Sequence, residues 1–510
     1  MATASARALR WPLLAAVLLA PLLLPALHGL GGAVQTVFTG QALAGGGSLW
    51  PTGRVTALLA NGLLLSALAG LLATAIGALY GLAFVFSQAQ ACRLCLVGLL
   101  TTSFCFGTVV HVLAWRTLFP MVSGGEAGWA IAVLTLALRY APLSAALLAA
   151  GLATMERAEL ETAVCIGGGR ALWAVGRTRL QRLAGMSFAA VFALVFGESE
   201  VPPLLGVHVY AEEFLSQVAL EPAANVAAAL GWPLMAVALA CAALLAGVPR
   251  LRASSAGTVS MGWIGTWFRA PAALRLATFG SALAVAALPL MLLAWGSVQA
   301  TGRWPTHAGA ALVNSLLVAG LSALVACLWG WALASWASRA EQLTVTGLNV
   351  LLWIMMLWPS ALTGIALAGS ALPDWTFPVT PLILAHTLHL LPFAAWVLLA
   401  LRDVQPRGPV EQLKLLGARG PTAIRHVHLP AAWPGLVAAF MLCTGLSMAE
   451  LTATVLTVPP GMETAILRLY NLLHYGDQRG VMMLAVAQGL AVALIAAAGI
   501  ALLGKRHAGD

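Results

Sequence analysis

Lysine is almost missing from this 510-residue chain: Lys414 and Lys505 are the only two. Neither completes the Gly-x-x-x-x-Gly-Lys-Ser/Thr loop with which nucleotide-hydrolysing folds cradle phosphates, so energy from ATP would have to come from another polypeptide. Charge is scarce too, at 8% of residues against 61% hydrophobic, with a mean hydropathy of +0.92. So little polar surface excludes the soluble class and indicates an integral membrane protein. No cluster with metal-ligand spacing, catalytic triad or nucleophile elbow stands on an extramembrane stretch. That argues against a catalyst and against a resident metal or other cofactor.

Disulfides are not expected either. Cys92, Cys95, Cys105, Cys165, Cys241, Cys327 and Cys443 lie in or beside apolar runs or on the expected inner face. Cys92-Arg-Leu-Cys95 has redox-motif spacing, but it lacks a βαβ context and a second pair.

What is present is a series of apolar runs. Spanning about 30 Å of hydrocarbon takes roughly 20 residues, and such runs centre near residues 20, 70, 106, 140, 193, 236, 287, 321, 357, 391, 446 and 491. The expected fold is therefore all-α, with about twelve transmembrane helices, because runs rich in Ala, Leu and Val carry no alternating lumen face for a barrel. The first run follows Arg7 and Arg10 but is longer than a usual signal core, so it reads as a retained helix. The net charge of +9 is not a nucleic-acid signal here, because its distribution follows the membrane. With the N-terminus inside, 20 cationic residues fall on the inner face and 5 on the outer, with Arg139 inside a helix. Both termini are thus expected in the cytoplasm.

Sliding the sequence against itself reveals two halves. Leu-Arg139-Tyr-Ala-Pro142 aligns with Leu-His389-Leu-Leu-Pro392, Glu161 with Glu411, and Gly167 with Gly417, all at a shift of 250. Asn61 and Gly77 align with Asn314 and Gly330 at 253, and Glu198 with Glu450 at 252. With six helices each, the copies share one orientation and are related by an axis along the membrane normal. The expected units are residues 1–247, a basic and aromatic interfacial linker at 248–275, and residues 276–510.

Each half carries a polar inner loop, 153–184 and 403–433. In the second, Leu413, Leu415 and Leu416 form one short helix that Gly417 and Gly420 can end, and Pro421 opens another that Pro430 closes before the next span. The order Glu411-x-x-x-x-Leu416-Gly417-Ala418, then Val427-x-Leu429-Pro430, resembles the signature of ABC importer permeases. Glu450-Leu-Thr-Ala-Thr, Val458-Pro-Pro-Gly461-Met-Glu463-Thr and Leu469-Tyr470-Asn-Leu-Leu-His474-Tyr-Gly476 look like the fused, twelve-span branch grouped with ferric-iron, thiamine and aminoethylphosphonate importers.

That resemblance implies a type I importer permease in a bacterial inner membrane, its loops docking two copies of a cytoplasmic ABC ATPase. An extracytoplasmic solute-binding protein would deliver cargo to the outer loops, among them the acidic 198–222 segment with Glu212, Glu213 and Glu221. No second permease chain would be needed, since one chain supplies both halves. The coupling residues it implies are Glu161, Ala163 and Gly167 in the first loop and Glu411, Leu416, Gly417, Ala418, Val427, Leu429 and Pro430 in the second. The first loop departs from the pattern where Arg179-Leu180 stands in place of Leu-Pro. The competing class is a 6+6 secondary transporter driven by an ion gradient. Against it stand the scarcity of buried acid and histidine chains and an inner loop between spans two and three without a Gly-Asp-Arg type signature.

Ionisable groups within the membrane are functional candidates by default. Arg139 and His389 either face a central path or snorkel and pair with Glu198 or Glu450. Glu198 and Glu450 either line that path or serve structural pairing. Asn61 and Asn314, at repeated helix starts, suit hydrogen bonds between helices. The eighteen tryptophans fall mostly near span ends, as an aromatic belt requires.

Overall fold

The computed structural model describes residues 53–87, 89–119, 124–153, 155, 157–220, 224–246, 272–300, 303–337, 342–368, 376–404, 424–475 and 478–507. Every regular element among them is helical. In chain order these are α1 (Gly53–Phe86), α2 (Gln90–Cys105), α3 (Thr108–Leu118), α4 (Gly125–Ala153), α5 (Arg157–Phe196), α6 (Val201–Leu204), α7 (Tyr210–Leu220) and α8 (Ala224–Ala246). There follow α9 (Ala272–Gln299), α10 (Ala308–Ala337), α11 (Gln342–Leu357), α12 (Ser360–Ala368) and α13 (Thr380–Val404). A π-turn at Ile424–His428 leads into α14 (Leu429–Met448), then α15 (Thr452–Thr457), α16 (Ala465–Tyr475) and α17 (Gln478–His507).

Among the described residues, eight helices are long and apolar enough to cross a membrane, and two bent pairs would raise the number to ten. The apolar part of α8, Leu230–Ala246, is shorter. The expected run near residue 20 and the 248–275 linker, up to Ala272, lie outside the described residues.

The runs centred near 106 and 357 are not straight spans as expected. Each is two helices meeting at about a right angle, 90° between α2 and α3 and 87° between α11 and α12. Pro359 explains the second break, since proline offers no N–H and disfavours a helical residue before it. The first falls at Phe106-Gly107, where both residues adopt extended backbone and glycine adds no helix propensity. Hydropathy windows cannot register such a bend, because the residues remain apolar through it.

Corresponding helices of the two halves pack alike: α1 lies along α4, and α10 along α13. The approach is closest at Gly77, where an added Cβ would sit 2.4 Å from the Ser144 Cβ, and at Gly330, where it would sit 3.0 Å from the Ala394 carbonyl carbon. Only glycine lets those backbones meet, so the repeated glycines fix one contact in both halves.

The halves also interlock. Helix α8 packs on α11 and α12 of the other half, while α17 and α9 pack on α2 and α3. One continuous apolar core joins Phe196, Leu205 and Leu234 to Trp353, Leu357 and Leu362. Gly231 faces Leu362 and Gly445 faces Cys105 across this boundary. All seven cysteines are free, with Cys92, Cys95 and Cys165 exposed.

Candidate functional site

Two regions at opposite ends of α5 carry the sequence candidates. At its N-terminal end, residues 157–166 and the rest of the helix are separated by a kink at Gly167 and Gly168. Gly168 takes φ of 56°, a left-handed backbone that side chains other than glycine resist. The kink folds the short first segment back, so that Leu160 and Met155 are buried against Val175. Ala163 is buried, Glu161 half-buried and Gly167 exposed. Beside the kink, Ile166 is 80% and Trp173 61% exposed, apolar side chains left uncovered among the described residues.

In the second half, Glu411, Leu416, Gly417 and Ala418 lie outside the described residues. Val427 stands in the π-turn, while Leu429 and Pro430 form the first turn of α14. Pro430 therefore does not close a preceding helix, as its position had suggested. It stands where the π-turn passes into α14, inside the span Arg425–Met448, and the helix runs on through it.

The other end of α5 leads into a polar cluster between the halves. An interrupted helix leaves carbonyls without their usual donors, and in an apolar surrounding each must find one. At the first break Arg139 on α4 donates to the Phe106 carbonyl. At the second, the His389 ring on α13 reaches the Trp358 carbonyl at 3.4 Å, while its other nitrogen lies 3.1 Å from the Ala385 carbonyl of the same helix. Both residues thus do the same task on equivalent breaks.

The two acids are also equivalently used. Glu198 accepts the Glu200 N–H at 3.0 Å and Glu450 the Ala453 N–H at 3.1 Å, each at the start of the short helix that follows its span. Helix N-termini hold unpaired amides and a partial positive charge, which suits a carboxylate. Arg139 lies near enough to Glu198 and Glu200 to interact electrostatically, and Glu450 lies near both of those acids.

Glu200 joins them at the centre. It accepts from Thr108 Oγ1 at 2.6 Å and from Thr452 Oγ1 at 3.1 Å. His386, 3% exposed, bridges Ser447 at 2.6 Å and Thr454 at 2.9 Å. Its counterparts in the first half, at the 250 to 252 shifts, are Leu136, Val195 and Pro202, all apolar. Sequence reasoning passed over Glu200, Thr108, Thr452 and His386. A signal existed for one pair, since the 252 shift that matches Glu198 to Glu450 also matches Glu200 to Thr452.

Beyond the cluster, Asn61 donates to the His208 carbonyl and Asn314 to the Glu463 carbonyl, each at 3.0 Å. These bonds tie α1 and α10 to the segments following the short helices. On α7, Glu213 pairs with Arg54 at 2.7 Å and Glu212 lies 3.4 Å from His208; Glu221 is outside the described residues. Tyr210 donates to the Leu230 carbonyl at 2.6 Å. Burial, with Glu213 nearby, pushes its phenol up to about 12, so it remains a neutral donor.

Residues 326–507 match the family model described as binding-protein-dependent transport system inner membrane component. The permease protein PhnV of Salmonella paratyphi A, named for a 2-aminoethylphosphonate transport system, is 28% identical over 232 residues, 42% of this chain and 82% of that protein. PhnV of Salmonella typhi is 27% identical over the same shares.

Proposed function

We propose that this chain, which belongs to the family of binding-protein-dependent ABC importer permeases, forms by itself the whole translocation path, with residues 1–247 and 276–510 as its two halves. The observation that carries this reading is the recurrence, in both halves, of the broken span, its carbonyl partner, the capping acid and the asparagine tie. A path built at the junction of two such halves needs no second permease chain.

In this reading the inner loops 153–184 and 403–433 dock two copies of a cytoplasmic ABC ATPase. Exposed Ile166 and Trp173 beside the Gly168 turn support the assignment, because apolar groups on a polar inner surface suit burial in a partner's groove. Glu161, Ala163 and Gly167, with Glu411, Leu416, Gly417, Ala418, Val427, Leu429 and Pro430, make the two docking segments. ATP binding draws them together and swings the halves outward. An extracytoplasmic solute-binding protein delivers cargo to the opposite end, and both termini lie in the cytoplasm of a bacterial cell. Arg139, His389, Glu198 and Glu450 border the path at the junction of the halves. The cargo is a small solute of the ferric-iron, thiamine or phosphonate kind, and the names of the two relatives favour a phosphonate.

The test is to purify the tagged chain from its native membrane, identify what accompanies it, and assay ATP hydrolysis with and without Gly417→Asp. An accompanying ATPase whose activity is lost or uncoupled in the variant supports the reading. A chain that comes alone and moves solute down an ion gradient would replace it with secondary transport.

A further inference from the structure

The bond between Glu200 and Thr452 differs in kind from the other hydrogen bonds of the cluster, because it crosses from one half of the chain to the other. Glu200 stands between α5 and α6 of the first half, and Thr452 opens α15 of the second. Both carboxylate oxygens are engaged: Oε2 with Thr108 at the start of α3, and Oε1 with Thr452. Glu200 therefore joins the break in the third span, the end of the fifth, and the short helix of the opposite half. Around it, each half secures its own short helix locally, through Glu198 to the Glu200 amide and Glu450 to the Ala453 amide. The segments thus stand on either side of a single side-chain hydrogen bond of 3.1 Å, which a small separation would break.

We propose that Glu200 is a positioning residue for the transport cycle, a latch that holds α6 and α15 together and must release Thr452 when the halves part at this end of the membrane. The latch lies at the far end of the span Trp173–Phe196 from the kinked segment at Gly168, 24 residues or about 36 Å along the helix. Movement imposed at one end reaches the other through one continuous helix. The cycle it serves is the importer cycle proposed above, but the contact itself can be tested without it.

The test uses Thr452→Val, which keeps the shape of α15 and removes only the donor. Thr457→Val is the control, since the Thr457 hydroxyl bonds Ala453 within the same short helix. Hydrogen exchange is followed in the isolated chain in lipid nanodiscs. With Thr452→Val, amides of residues 204–207 and 452–458 should exchange roughly five-fold faster together, the scale of one hydrogen bond. Thr452→Ser should restore protection, and Thr457→Val should leave 204–207 unchanged. Faster exchange confined to α15, or the same response from Thr457→Val, would overturn the latch.

A second readout is ATP hydrolysis by the complex without binding protein or solute. Thr452→Val should raise it several-fold, because a parted outer end no longer waits for cargo; unchanged hydrolysis beside concerted exchange would remove Glu200 from the cycle. Should no ATPase assemble, the importer reading fails while the exchange experiment still decides the latch.

Discussion

Thr452 donates its hydroxyl hydrogen to Glu200, the residue that occupies Thr452's own place in the other half of the chain, 252 positions earlier. A contact between equivalent positions of a duplicated sequence lies on the axis relating the copies. The centre of the molecule is therefore where the two copies have diverged, acid on one side and hydroxyl on the other. His386 marks the same divergence, with a polar bridge in the second half where the first has Leu136, Val195 and Pro202.

Arg139→Leu should lower the thermal midpoint of the purified chain. It leaves the Phe106 carbonyl without its donor, a loss of about 1–3 kcal/mol, and removes a cation close to Glu198 and Glu200. Adding Glu198→Gln should recover part of the loss, as measured by fluorescence-detected thermal unfolding. His389→Leu should cost less, since its bond at 3.4 Å is long and carries no counter-ion task.

Glu198→Gln with Glu450→Gln should leave folded yield unchanged, because each amide keeps a carbonyl to accept the Glu200 or Ala453 N–H. Solute uptake into proteoliposomes should fall if these acids border the path. Uptake equal to the parent chain would confine them to capping.

Gly77→Ala should be destabilising by roughly 1–3 kcal/mol, the usual cost of overpacking, because its Cβ would lie 2.4 Å from Ser144. Gly330→Ala, with its nearest neighbour at 3.0 Å, should be the milder of the two. Comparative thermal unfolding of the two variants checks the order.

Ile166→Asp should weaken recovery of the ATPase without lowering the yield of the permease. Truncating a central anchor of an interface costs about 2 kcal/mol or more, some thirty-fold in affinity, and Ile166 is 80% exposed, so little packing among the described residues is lost. Quantitative pull-down against the parent chain measures it; undiminished recovery would move the docking face away from this kink.

Membrane class, helical fold and the presence of a repeat were determined by the sequence alone, because apolar run length and self-similarity are local or linear properties. Asn61 with Asn314, Gly77 with Gly330 and Glu198 with Glu450 were all visible as paired positions before their partners were known. What only the tertiary structure decided is what those positions touch. The right-angle breaks at Gly107 and Pro359 are invisible to a hydropathy window, and until they are seen Arg139 and His389 have no carbonyl to serve. Pro430 sits inside a span instead of closing a helix because the chain on both sides of it is helical, a matter of context and not of proline itself. Glu200 meets Thr452 because two halves distant in sequence interlock, and hydrogen bonds are selected by proximity in space, which only packing sets.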